Sequence, residues 1–267
     1  YKKNQIIIFN DSLIYANKDF KSIDSIIREN WSNYTKHDYS KFNVYHTWIE
    51  YINRLIGAIA GLSVLILFIN SLKFIKKKRS ITILAFLSLT GILFQAWLGK
   101  IVVDSNLLAG KITIHMLMAI LIVSILFILL SKLNEKKSNL IFNRYISTLT
   151  LISLILLIIQ VLSGTELRQF IDIEMLSYNY SDKNKWLMNP PESFYFHRSF
   201  SIIIFIVNSL IFLKLKKMII VNKIFNIIMI LLFIQILTGI MMYYFNFPFS
   251  TQPIHLLISS LIIGFQV

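Results

Sequence analysis

The sequence predicts an all-α integral membrane protein, built as two four-helix transmembrane bundles related by a pseudo-twofold axis, with seven of the eight helices in this chain. Three observations carry that prediction. The composition is 56% hydrophobic and only 15% charged, with a mean hydropathy of +0.66, far from the usage of soluble domains. Long apolar runs recur along the chain. A motif series in the first half returns in the second at the same spacing.

Residues 1–45 are polar and mixed in charge and precede the first apolar run, at 55–70, which Trp48 and Ile49 extend. Further runs follow at 81–103, 112–130, 146–163, 199–213, 224–242 and 254–267. As helices, these are fit to cross about 30 Å of hydrocarbon. They are apolar on every face, whereas barrel strands alternate apolar and polar positions, so a β-barrel is excluded. The formal charge of +14 would suggest nucleic acid in a soluble protein. Here the cations fall in alternate loops: Lys73, Lys76, Lys77, Lys78 and Arg79 in one, Lys132, Lys136, Lys137 and Arg144 in another, Lys214, Lys216, Lys217 and Lys223 in a third. The positive-inside rule makes those loops cytoplasmic. Loops 104–111, 165–193 and 245–252, and residues 1–45, then face outward. An outer segment with no signal peptide ahead of it predicts a further helix before Tyr1, giving eight in all. The absence of cysteine removes disulfides, thiolate ligands and thiol catalysis from these residues.

The repeat starts at Gln95, with Gly99, Asn106 and His115 following, and starts again at Gln235, with Gly239, Asn246 and His255. Four matching positions across helix, loop and helix imply two equivalent halves. Gln160 and Gly164 give a third Q-x-x-x-G, and Tyr51-Ile52-Asn53-Arg54 weakly echoes Tyr195-Phe196-His197-Arg198. The expected organisation is an outer segment at 1–45, a first bundle at 46–131, a cytoplasmic linker at 132–145 and a second bundle at 146–267.

Four of the five histidines, His46, His115, His197 and His255, fall at the outer end of a predicted helix; His37 lies in the outer segment and has no evident role. Ionisable groups in a membrane are costly and mark sites by default. Single interfacial histidines are often mere anchors, but four at one level argue for ligation. Imidazoles on facing helices suit a transition metal or haem iron. Zinc and copper usually recruit Cys or carboxylates as well, and none stands beside His197 or His255. Arg198 is placed to bind a haem propionate or else to snorkel at the interface. In the first half Asn53 stands opposite His197, and Glu50 stands where the second half has Phe194. Glu50, Asn53 and His46 fall on roughly one helix face. Glu50 is either functional or an i,i+4 ion-pair partner of Arg54, and the two readings coexist.

The stretch His46-Thr-Trp-Ile-Glu50-Tyr-Ile-Asn53-Arg54 resembles the Glu-x-x-His-Arg signature of the haem A synthases, in a variant associated with Bacteroidetes members in which Asn takes the His position. The resemblance runs on through Gln95 to His115, Gly164-Thr-Glu-Leu-Arg168, Phe194-Tyr-Phe-His197-Arg198 and Gln252-Pro-Ile-His255. It implies a haem b held by His197 and His255 in the second half. It also implies a substrate haem O, oxidised from methyl to formyl to give haem A, in the first half, with His115 on one iron face and His46 the candidate on the other. Glu50 matches the essential carboxylate, and Asn53 leaves the first-half ligand open. The resemblance further implies the bacterial cytoplasmic membrane, haem sites towards the outside, haem O synthase and the cytochrome oxidase assembly machinery as partners, an unidentified electron donor or acceptor and a possible homo-oligomer. Nucleic acid is not expected. The competing readings are a non-catalytic dihaem b-type cytochrome, which usually needs haems at two depths, and a haem-handling transporter, which needs no functional carboxylate.

Overall fold

The computed structural model describes residues 6–9, 12–17, 19, 30–33, 44–105, 109–134, 144–177, 182–217 and 223–267. The chain divides into two compact units, Tyr1–Ile59 and Ala60–Val267.

The first unit contains a small antiparallel sheet that the sequence reading did not anticipate. Strands β1 (Ile6–Phe9), β2 (Ser12–Ala16) and β3 (Trp31–Asn33) lie in the order β1-β2-β3. Ile7 pairs with Ile14, and Ala16 with Trp31. Ile14 and Ala16 alternate onto one face of β2, where with Trp31 they form a buried cluster. The first unit also holds the start of helix α1 (Val44–Ser71), two residues ahead of the predicted boundary at 46.

The second unit is helical. A short 3-10 turn at Leu72–Phe74 closes α1, and the Thr82 hydroxyl donates to the Ser71 carbonyl at 2.8 Å, tying the start of the next helix to it. There follow α2 (Arg79–Asp104), α3 (Ala109–Leu133), α4 (Arg144–Ser177), α5 (Glu192–Lys217), α6 (Lys223–Tyr244) and α7 (Thr251–Gln266). Among the described residues six helices are long and apolar enough to span a membrane, and α7 is a seventh apolar helix of 16 residues. The chain is thus a multi-pass membrane protein whose spanning part is all α.

The largest boundary difference from the sequence expectation falls at the end of α4. Residues 165–177, assigned to an outer loop, continue α4. Arg168 and Asp172 lie one turn apart on it and pair at 3.5 Å, so charge there marks a helix leaving the apolar zone and not a loop.

Helices α4, α5, α6 and α7 pack in a closed ring, each against the next and α7 back against α4. Helix α3 lies against both α4 and α7, and α2 against α3. Ile204, Ile211, Ile228 and Ile262 fill the centre of the ring, while Ile202, Ile206, Leu210, Ile230 and Phe233 point outward and exposed. An apolar core with an equally apolar outside is the pattern for helices solvated by lipid.

Helix α6 ends in a Schellman arrangement. Asn246 has φ 54°, and the Phe247 N–H reaches back to the Met242 carbonyl at 3.1 Å. Asn tolerates the left-handed conformation better than most residues, which gives a physical reason for the asparagine in the repeat. Its counterpart Asn106, like His37, lies outside the described residues.

Candidate functional site

In the ring of four, α5 and α7 stand diagonally opposite. His197 lies in the second turn of α5, and His255 one turn into α7. Their imidazoles meet across the interior with ring centroids 6.4 Å apart and planes inclined at 51°.

Each ring is fixed from behind by the preceding helix. The Ser163 hydroxyl on α4 lies 3.0 Å from His197 Nδ1, and the Thr238 hydroxyl on α6 lies 2.8 Å from His255 Nδ1. The Gln160 amide donates to the His197 carbonyl at 2.9 Å. The glycines of the repeat let the rings lie close against the helices: a Cβ at Gly164 would stand 3.0 Å from His197 Cε1, and one at Gly239 would stand 3.6 Å from His255 Cε1. With both Nδ1 atoms engaged, Nε2 is the nitrogen of each ring that could ligate a metal ion.

Two imidazoles sharing one metal ion, at roughly 2 Å per bond and with each nitrogen roughly 1 Å from its ring centre, place the centroids roughly 6 Å apart. The observed 6.4 Å therefore fits a bis-imidazole centre. Among the described residues no group of three or more His, Asp or Glu is gathered that could hold a metal ion alone. Two imidazoles by themselves suit an iron whose remaining positions are filled by a macrocycle.

His115, seven residues into α3, has different surroundings. Gln95 on α2 donates to its carbonyl at 3.0 Å, as Gln160 does for His197, but the same amide nitrogen also touches His115 Nε2 at 3.3 Å. A Cβ at Gly99 would stand 3.4 Å from its Cε1. The position corresponding to Ser163 and Thr238 is Leu98, and His115 Nδ1 is buried with no partner among the described residues. The sequence reading caught the glutamines and glycines but missed Ser163 and Thr238. The signal was present as a hydroxyl residue three positions after Gln160 and Gln235 and not after Gln95.

The remaining candidates on α1 belong to the first unit. Glu50 and Arg54 pair at 2.5 Å with both side chains more than half exposed, at 58% and 65%, which is the ion pair that the spacing predicts. Asn53 is exposed on the same helix, and His46 lies in its first turn. Arg198 does not pair with a carboxylate among the described residues; its guanidinium lies over the rings of Phe194 and Tyr195, at 5.5 and 5.4 Å. Phe194 in turn stacks on Tyr243 at 5.2 Å. That aromatic seat fixes the guanidinium of the residue that follows His197.

The helix ring, the paired imidazoles and their hydroxyl supports define a multi-pass membrane protein with two facing, hydroxyl-supported imidazoles inside a helix bundle. A family model described as cytochrome oxidase assembly protein, COX15-CtaA, matches residues 24–267, and the chain belongs to that family, the haem A synthase family. Among curated proteins none matches the chain.

Proposed function

We propose that the chain is a haem A synthase, which oxidises a methyl group of haem O to the formyl group of haem A, with a resident haem b in the second half. The observation that carries this reading is the asymmetry between the His197–His255 pair, supported on both rings, and His115, whose Nδ1 has no partner among the described residues, in a chain that carries Glu50 where the second half has Phe194. Counted against water, turning a methyl into a formyl group releases four protons and four electrons, which an external redox partner must take up.

His197 and His255 would hold the haem b through Nε2, and Arg198, the residue after His197, would bind a propionate. Haem b, when bound, supplies a one-electron relay. His115 would bind the substrate iron, with His46 the candidate on its other face, since the Asn53 amide is a poor iron ligand. Glu50, once released from Arg54, is a carboxylate suited to taking protons as the methyl carbon is oxidised, or to stabilising positive charge developing there. The partners follow from the same reading: an enzyme that supplies haem O, and the oxidase assembly machinery that receives haem A.

The test is chromatography with mass spectrometry of haems extracted from cells that make haem O, with and without this protein. Haem A is expected only with it. Haem O alone in both cultures would overturn the reading and leave an electron-transfer cytochrome.

A further inference from the structure

The hydroxyl of Ser163 donates its single hydrogen to the Gln160 carbonyl at 2.9 Å, and that of Thr238 donates to the Gln235 carbonyl at 2.9 Å. With those hydrogens committed to the backbone, each oxygen meets its imidazole with a lone pair. For one hydroxyl to make both contacts as hydrogen bonds, the hydrogen of the second has to sit on Nδ1 of His197 and of His255. That selects one tautomer in both rings, with the free lone pair on Nε2. Both hydroxyl residues are buried, each at 8% exposure, so water does not compete for the contact.

Serine and threonine often bond back to a carbonyl of their own helix without further consequence. Here the same back-bond occurs at the same offset from glutamine on two helices, and each time the oxygen also meets an imidazole. The third series has no hydroxyl: Leu98 occupies the place, and His115 Nδ1 is buried without a partner among the described residues.

We propose that Ser163 and Thr238 are positioning residues that lock His197 and His255 as permanent iron ligands, and that Leu98 leaves His115 an exchangeable one. The inference rests on the haem assignment above and deepens it. A ligating histidine whose other nitrogen donates a hydrogen bond is held in orientation and is more basic, which favours the ferric state and tight binding. A substrate site needs the opposite: a ring that binds, lets product go and binds again. The difference between Ser163 or Thr238 and Leu98 therefore separates a resident haem from a passing one.

The experiment is redox titration of the purified full chain, together with the rate at which its haem passes to an apoprotein acceptor. Wild type, Ser163→Ala, Thr238→Val and Leu98→Thr are compared, with Ser163→Thr and Thr238→Ser as conservative controls. The two truncations are expected to raise the midpoint potential of the bis-imidazole haem and to weaken its retention about 10- to 100-fold, while the conservative changes keep both near wild type. A structural role alone would not move the potential, so truncated proteins with an unchanged potential would overturn the proposal. Should a truncation fail to fold, Leu98→Thr tests the inference from the other side: slower haem exchange at His115 supports it, and unchanged exchange counts against it. A wild-type protein with no bis-imidazole spectrum would instead defeat the haem assignment itself.

Discussion

Glu50 and Arg54 illustrate how little a single contact decides. Their pairing at 2.5 Å is what spacing alone predicts, and an exposed i,i+4 pair stabilises a helix by only about 0.3–0.5 kcal/mol. If structure were its only role, Glu50→Gln would be nearly silent. As a carboxylate that handles protons it would be indispensable, so Glu50→Gln is expected to leave expression and the second-half haem spectrum intact while slowing haem A formation on the order of 10²- to 10⁴-fold. Extracted haems resolved by chromatography measure this, and full turnover by the variant would exclude the role. The glycines beneath the imidazoles give a graded prediction at the same scale. An added methyl at Gly164 meets His197 at 3.0 Å, whereas at Gly239 it meets His255 at 3.6 Å, an ordinary van der Waals contact. Gly164→Ala is expected to weaken haem retention about tenfold and Gly239→Ala to leave it almost unchanged; the reverse order in a haem-transfer assay would refute this reading of the packing.

At the scale of elements, hydropathy placed the spans because lipid demands apolar residues around the whole helix, a signal far stronger than amphipathic periodicity. It failed where that demand ends. Residues 164–177 continue α4 beyond the apolar run, and a window that stops at charge cannot tell a protruding helix from a loop. The sheet was missed for a related reason: strands of three to five residues in a polar segment show little periodicity, although the run Ile6-Ile7-Ile8-Phe9 carries the β-branched composition of one. His197 and His255 were legible as candidates because each stands at the end of an apolar run, where an ionisable ring is costly; the fixed offset from glutamine links His255 with His115 and not with His197. The hydroxyl supports of the two rings were not legible, since serine and threonine are common in membrane helices and only a three-dimensional contact separates a support from a back-bonded bystander. Asn246 is a case in which a residue of the motif series marks an element boundary and not a ligand. Its left-handed φ of 54° at the end of α6 costs most residues about 1–2 kcal/mol. Asn246→Ala is therefore expected to destabilise by about 1 kcal/mol, and Asn246→Gly to be neutral or stabilising. Thermal unfolding in detergent tests this, and equal losses in both variants would show that the side chain, not the backbone conformation, matters there.

At the scale of the whole molecule, the ring of α4 to α7 contains every described contact that holds the His197–His255 pair: Ser163, Gly164 and Gln160 on α4, Thr238 and Gly239 on α6. Helix α3 adds Ile120 to the shared apolar core but, among the described residues, no hydrogen bond to either ring. In water, deleting α3 would expose that apolar surface and unfold the ring. In a bilayer, lipid tails replace a neighbouring helix with little loss, because association there depends on close packing and polar contacts and not on the hydrophobic effect. The polar contacts lie within the ring: Asn208 donates to Ser153 at 2.8 Å, and the Gln266 amide donates to Asn208 at 2.6 Å, linking α4, α5 and α7 well away from the histidines. A fragment of residues 144–267 produced in membranes is therefore expected to insert, to bind one haem and to show the same low-spin bis-imidazole spectrum and midpoint potential as the full chain. It should be unable to form haem A, because His115 and Glu50 are absent. Asn208→Leu in that fragment should loosen the ring and lower its thermal stability by about 1–2 kcal/mol while leaving the potential of the remaining bound haem unmoved. A fragment that inserts but takes up no haem, beside a full chain that does, would mean that the first half completes the second-half site, and the independence of the ring would have to be abandoned.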